Sequence, residues 1–341
     1  MPKRARLRFL RGADRCGAEN RGVPPAKISS ETEMEKLFVD TQWLDRHLQD
    51  EDMRIVEVHF TRCFSNHEKV AEECREQYRS GHIPGAVYID CISDLTDTSY
   101  KDIFYVATPD QFSKVMGRVG ITNQTMIVCY DEAPYPLAAA RFWWTLRYYG
   151  HTRIRILAGG IRKWVKEGRA LSRAIPSVSQ TDYNPQPQPT LRATKETVKK
   201  CLQDEGTLII DCLTYRQHHG KSRNSWSTRL GRIPGAVLLP PMELVNGLNH
   251  SSPRAERDQA MANDKPYDFF PVEKLRKIFS QIGVKPGKRV ITYCGKAEAA
   301  CSVFLALKMA GIEDAAVYDG SLAEWSRDLS LPMVITAKND N

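Results

Sequence analysis

The sequence predicts an α/β protein made of two similar domains in tandem, each a parallel sheet covered by helices on both faces. Three observations lead there. The chain is written twice, which is the strongest organisational signal a sequence can carry. Within each copy, short β-branched runs alternate with helical stretches, the pattern of βα units. Between the copies lies a proline-rich segment unsuited to either sheet.

The repetition is read from four matched pairs. "HLQDEDMRIVEV" (47–58) pairs with "CLQDEGTLIIDC" (201–212), and "GHIPGAVYI" (81–89) with "GRIPGAVLL" (231–239). "ITNQTMIVCYD" (121–131) pairs with "VKPGKRVITYC" (284–294), and "LAGGIRKW" (157–164) with "YDGSLAEW" (318–325). The pairs keep their order, so whole units were duplicated rather than single motifs.

The elements follow in the same order in both copies. A polar helix ("TQWLDRHLQD", "TKETVKKCLQ") leads into a β-branched strand ("RIVEV", "TLIID"). The Gly-x-Ile-Pro-Gly-Ala turn introduces a second strand. A helix opening near Pro109 or Pro271 leads to a third strand ("TMIVCY", "RVITYC"). A longer apolar helix and another strand ("IRIL", "AAVY") come next, and a Gly-Gly or Gly-Ser turn opens a helix bearing tryptophan. Pro185, Pro187 and Pro189 alternate with glutamine between the copies, which predicts an extended, semi-rigid linker. The expected organisation is an extension over 1–35, a first domain over 36–171, a linker over 172–193 and a second domain over 194–335. Residues 246–268 are polar and aperiodic and read as a long loop.

Composition excludes several classes. No run approaches the ~18 apolar residues of a membrane span. The net charge is +8, but 49 basic residues are interleaved with 41 acidic ones, so nucleic acid is not an expected partner. A mild positive field suits small anions. Nine cysteines form no CxxC and no zinc spacing, so neither a metal nor a cofactor is expected. The odd count fits a reducing compartment. Basic residues dominate the first 22 positions, with Arg4, Arg8 and Arg11 on one helical face and Leu7 and Leu10 on another. That reads as a mitochondrial presequence, with a cytoplasmic protein carrying a basic tail as the alternative.

Cys294 is the candidate reagent. It ends a strand and precedes a helix, the place where α/β sheets bind ligands. The loop amides and the helix N-terminus favour negative charge there, which predicts a thiol pulled from about 8.5 towards neutrality. Gly295 is expected to take positive φ and turn the loop, and Lys296 adds a cation. Cysteine phosphatases place an arginine six residues after the thiol to clamp phosphate. Ala300 stands there, which excludes that chemistry. The remaining cysteines read as small core or surface residues.

The two copies, the proline-rich linker, "GHIPGAV", "RFWWTLRYYGH", "LAGGIRKW" and the loop cysteine of the second copy together resemble the two-domain rhodanese and mercaptopyruvate sulfurtransferase family, over roughly residues 36–335. The resemblance implies five-stranded sheets, a non-catalytic first domain and sulfur transfer by covalent catalysis at Cys294. Asp131 stands at the matching first-copy position. The donor would be thiosulfate or 3-mercaptopyruvate. The acceptor would be cyanide or a thiol, including that of a small redox protein. The family match assigns Arg216 to the donor anion and Arg223 to a second contact. It also suggests a relay from the first domain, with His82 and Glu73 as candidates, although a histidine in this turn more often anchors it.

The loop departs from the family pattern. Mercaptopyruvate enzymes carry Cys-Gly-Ser-Gly-Val-Thr and rhodaneses Cys-Arg-Lys-Gly-Val-Thr, whereas this chain has Cys294-Gly295-Lys296-Ala297-Glu298-Ala299. Lys296 suits a doubly charged donor. Ala297 at a positive φ costs of order 1 kcal/mol. Glu298 opposes a thiolate if its carboxylate points inward, and Ala299 lacks a hydroxyl that could bond a persulfide. Two readings follow: a working sulfurtransferase with altered donor preference, and a weakly catalytic persulfide-binding or partner-binding module.

Overall fold

The computed structural model describes residues 37–60, 67–246 and 268–336, excluding the side chains of 67–70. The basic leader and the interior of the polar loop predicted over 246–268 lie outside them. Two five-stranded sheets are present, every neighbouring pair parallel. The first contains β1 (Phe38–Val39), β2 (Met53–His59), β3 (Val87–Asp90), β4 (Met126–Tyr130) and β5 (Ile154–Leu157), in the order β1-β5-β4-β2-β3. The second repeats that order as β6-β10-β9-β7-β8, from β6 (Arg192–Ala193), β7 (Thr207–Asp211), β8 (Val237–Leu238), β9 (Arg289–Tyr293) and β10 (Ala315–Tyr318). The central strands are buried along most of their length because helices cover both sheet faces.

The helices of the first copy are α1 (Thr41–Arg46), α2 (His67–Ser80), α3 (Pro109–Arg118), α4 (Ala138–Tyr148) and α5 (Gly160–Lys166). Those of the second are α6 (Lys195–Cys201), α7 (Tyr215–His218), α8 (Val272–Gln281), α9 (Glu298–Met309) and α10 (Ser321–Trp325). The proline expected to open α3 does so at its first position. Thr108 ahead of it accepts from the Gln111 amide, while the Gln111 side chain accepts from the Thr108 amide.

Helices α4 and α9 are apolar nearly all round, since each packs on its own sheet and against the other. Trp143 meets Phe304 at 6.1 Å between ring centres. A buried ionic knot closes the seam. The Asp319 carboxylate pairs with Arg141 of the first domain at 2.8 Å and with Arg192 at 3.1 Å, and accepts the Val106 amide at 2.7 Å. Arg141 and Asp319 are both almost fully buried.

The segment between the sheets is extended and strapped to the first domain. Prolines 185, 187 and 189 carry no donor, so the amides of the intervening Gln186 and Gln188 do the work, donating to the Tyr149 and Tyr148 carbonyls at 3.0 and 2.7 Å. Gly117 permits the close approach at the other end. A Cβ there would stand 2.3 Å from the Thr181 carbonyl oxygen.

Candidate active site

The site forms where β9 gives way to α9. Strand β9 delivers Cys294, the loop turns through Gly295, Lys296 and Ala297, and the first amides of α9 then point back at the thiol. The backbone N–H groups of Ala300, Lys296 and Ala299 act on the Cys294 thiol and favour its charged form. Two of these are unpaired donors of the first helical turn, so the positive end of α9 adds to the cradle.

The loop is held from beneath by α10. The Ser321 hydroxyl accepts the amides of Cys294 at 3.2 Å and Ala297 at 3.1 Å, and donates to the Tyr318 carbonyl at 2.9 Å. The amides of Leu322 and Ala323 donate to the carbonyls of Cys294 and Gly295 at 3.0 and 2.9 Å. Sequence reasoning did not select Ser321. Its signal was present, because the first copy carries Gly160 there while the second carries a serine with φ of +50°.

Two expectations are corrected. The positive φ of the loop falls on Ala297, at +66°, and not on Gly295. Gly295 is required instead by proximity, since a Cβ would meet the Asn224 side-chain oxygen at 2.6 Å. The thiol is also not depressed. Burial pushes the Cys294 thiol up, the Ala300 and Lys296 amides pull it down, the Glu298 charge pushes it up again and the Ala299 amide pulls down, with a net rise. At 3% exposure, desolvation of the charged form outweighs the amides.

Lys296 is also buried. Its ammonium lies 3.8 Å from the ring centre of Phe60, 4.3 Å from that of Trp226 and 5.3 Å from that of Phe104. Phe60 and Phe104 belong to the first domain, so both domains build this aromatic cage, each ring adding ~0.5–2 kcal/mol. No sequence pattern announces it. Glu298 and Ala299 are half-buried at the start of α9, and Glu298 borders a cavity shared with the first domain.

The candidate anion-binding arginines lie on the next strand's loop. Thr214 and Gln217 form a capping box that starts α7, and buried Asp211 fixes this turn by accepting the Leu213 amide at 3.0 Å and pairing with His218 Nδ1 at 2.8 Å. Arg216 and Arg223 are exposed, and among the described residues neither guanidinium makes an ion pair or a hydrogen bond. The histidine relay is not assembled. His82 is fully buried, with Nδ1 against the Tyr78 carbonyl at 2.8 Å and Nε2 against that of Ala174 at 3.3 Å, so neither ring nitrogen is free to reach Cys294. Its backbone pairs with Ser172, anchoring the start of the linker. Glu73 is exposed on α2.

The first domain shows what such a cradle accepts. Asp131 follows β4 as Cys294 follows β9, and its carboxylate accepts the amides of Leu137 and Ala139 at 2.9 and 3.0 Å. One copy holds a carboxyl group where the other holds a thiol.

A profile of the rhodanese-like domain matches the chain twice, at residues 40–167 and 194–328. The chain belongs to the rhodanese family. Among curated relatives of this rhodanese, the sulfur carrier protein TtuD of Thermus thermophilus is 29% identical over 310 residues, 87% of this chain and 96% of its own. The thiosulfate sulfurtransferase of Rattus norvegicus is 28% identical over 303 residues, covering 86% and 92%. The crystal structure of SseA from Escherichia coli, a 3-mercaptopyruvate sulfotransferase with the rhodanese fold, superposes with a TM-score of 0.69 at 26% identity, over 83% of this chain and 98% of that one. The names of these relatives have the handling of sulfur in common, and the superposition on SseA shows the shared rhodanese fold.

Proposed function

We propose that the protein is a sulfurtransferase that takes sulfane sulfur from thiosulfate or 3-mercaptopyruvate, holds it as a Cys294 persulfide and passes it to cyanide or a thiol. The observation that carries this reading is the convergence of three backbone amides on the Cys294 sulfur at the head of α9. The Cys294 thiolate attacks the outer sulfur of thiosulfate, the S–S bond breaks and sulfite leaves with the electron pair. With mercaptopyruvate the C–S bond breaks, and the departing pyruvate enolate takes the proton of the transferred SH. In both cases charge remains on the outer sulfur, where the amides stabilise it. Arg216, and Arg223 from the same β7–β8 connection, meet the donor's charged end, and Lys296 adds a cation at the domain boundary.

Burial of Cys294 and the neighbouring Glu298 favour a second reading, a persulfide carrier that turns over slowly. A donor panel with cyanide as acceptor tests both. The first reading expects repeated turnover with thiosulfate or mercaptopyruvate that disappears in Cys294→Ser. Equal rates for the two proteins sink it. A stoichiometric Cys294 persulfide without repeated turnover supports the carrier. The basic leader supports delivery to mitochondria, which a fluorescent fusion of residues 1–35 tests: diffuse cytosolic signal refutes it.

A further inference from the structure

The first domain lacks a cysteine at its loop position, yet it carries another thiol in a reactive setting. His59 ends β2 and is 6% exposed. Its Nε2 lies 2.6 Å from the Glu57 carboxylate, which is also buried and accepts the Tyr130 hydroxyl through its second oxygen. The same imidazole interacts with the thiol of Cys74 on α2. Cys74 is half-buried rather than sealed. His59 and Cys74 line a cavity of about 440 Å³, and Asp131 and Glu298 stand on its wall.

The fold does not require this arrangement. Asp211 occupies in the second sheet the register position of Glu57, each beside the tyrosine of the neighbouring strand. Tyr293 bonds Asp211 as Tyr130 bonds Glu57, and both hydroxyls accept the amide of the isoleucine in the Ile-Pro-Gly turn. The acid–tyrosine pair is therefore common to both copies. Two residues beyond the acid the second copy carries Leu213, and Asp211 takes its histidine from α7 instead, as His218. An imidazole on the acid is common to both copies, and what the first copy adds is the Cys74 thiol beside it.

We propose that Cys74 is a second nucleophilic thiol, with His59 as its base and Glu57 as the group that orients the base, and that it takes sulfane sulfur from low-molecular-weight hydropersulfides. The arrangement follows the general logic of a nucleophile, a base and an orienting acid. Burial lowers the affinity of His59 for a proton, but its interactions with Cys74 and Glu57 more than reverse this and carry it to about 10, so near neutral pH the imidazole holds a proton beside the Cys74 sulfur. With the proton resting on His59, the Cys74 thiolate attacks the terminal sulfur of R–S–SH. The S–S bond breaks, its electron pair stays on R–S, and R–S takes the proton from His59 to leave as R–SH. Cys74–S–SH remains, and no oxidant or reductant is consumed.

The test uses the full-length Cys294→Ser protein, so its outcome is independent of the site proposed above. The protein is treated briefly with glutathione persulfide near neutral pH, desalted and alkylated. Peptide mass spectrometry then reads the extra sulfur atom at each cysteine. Cys201, likewise half-buried and without a histidine partner among the described residues, is the internal reference. The expected result is persulfidation of Cys74 about tenfold or more above Cys201, falling to the reference level when His59→Gln is added. Equal labelling of Cys74 and Cys201 in the histidine-containing protein overturns the proposal, even if the His59→Gln chain fails to fold. Undiminished Cys74 labelling in a folded His59→Gln chain overturns the role of His59.

Discussion

Replacing Ser321 by alanine removes one oxygen that organises the whole loop. That oxygen accepts two amides and its proton goes to a carbonyl, and the residue is fully buried. Alanine leaves three buried polar groups short of a partner at ~1–3 kcal/mol each, partly relieved by relaxation, so the expected loss is about 2–4 kcal/mol. Thermal unfolding should fall by on the order of 5–10 °C. Misplacing the Cys294 and Ala297 amides also loosens the turn that aims the Lys296 amide at sulfur, and persulfide formation should slow by roughly 10²-fold. Ser321→Gly separates two effects. It loses the same hydroxyl but relieves a φ of +50°, so it should be more stable than Ser321→Ala by about 1 kcal/mol. The assays are differential scanning calorimetry and single-turnover persulfide formation followed by mass spectrometry. If Ser321→Ala melts within a degree of the parent and forms persulfide at the same rate, the hydroxyl does not organise the site.

Other expectations rest on single contacts. Because Cys294 is raised, thiolate is the minor form near neutral pH, and the rate of persulfide formation should climb with pH through the neutral range; Glu298→Gln should move that profile to lower pH, and a pH–rate series that is flat in both proteins contradicts the argument. Lys296→Met keeps the stem in its aromatic cage and removes the charge, so KM for the doubly charged thiosulfate should rise about tenfold or more and KM for singly charged mercaptopyruvate less; steady-state kinetics with both donors decides it. Asp319→Asn leaves buried Arg141 uncompensated and should cost about 3–5 kcal/mol, whereas Arg141→Met combined with Asp319→Leu should recover much of that in urea unfolding.

Both sheets, their parallel sense and the correspondence between copies were legible because duplication and short β-branched runs alternating with helical stretches are signals written along the chain. Cys294 was legible for the same reason: strand end, small loop and helix start are adjacent in the chain. The direction of its acidity was not, since helix geometry and burial pull oppositely and only packing decides which is larger. His82 was legible as a residue of a turn, but its ring partners at Tyr78 and Ala174 settle that it anchors the linker.

By itself, then, the order of residues determined a duplicated α/β chain with one thiol at the head of a second-copy helix. Tertiary packing alone decided that Ser321 braces that loop, that rings from both domains enclose Lys296, and that His59 meets Cys74. Those groups are far apart along the chain or lie on different elements. Their meeting depends on how helices close over the sheets and how α4 seats against α9, which no local pattern encodes.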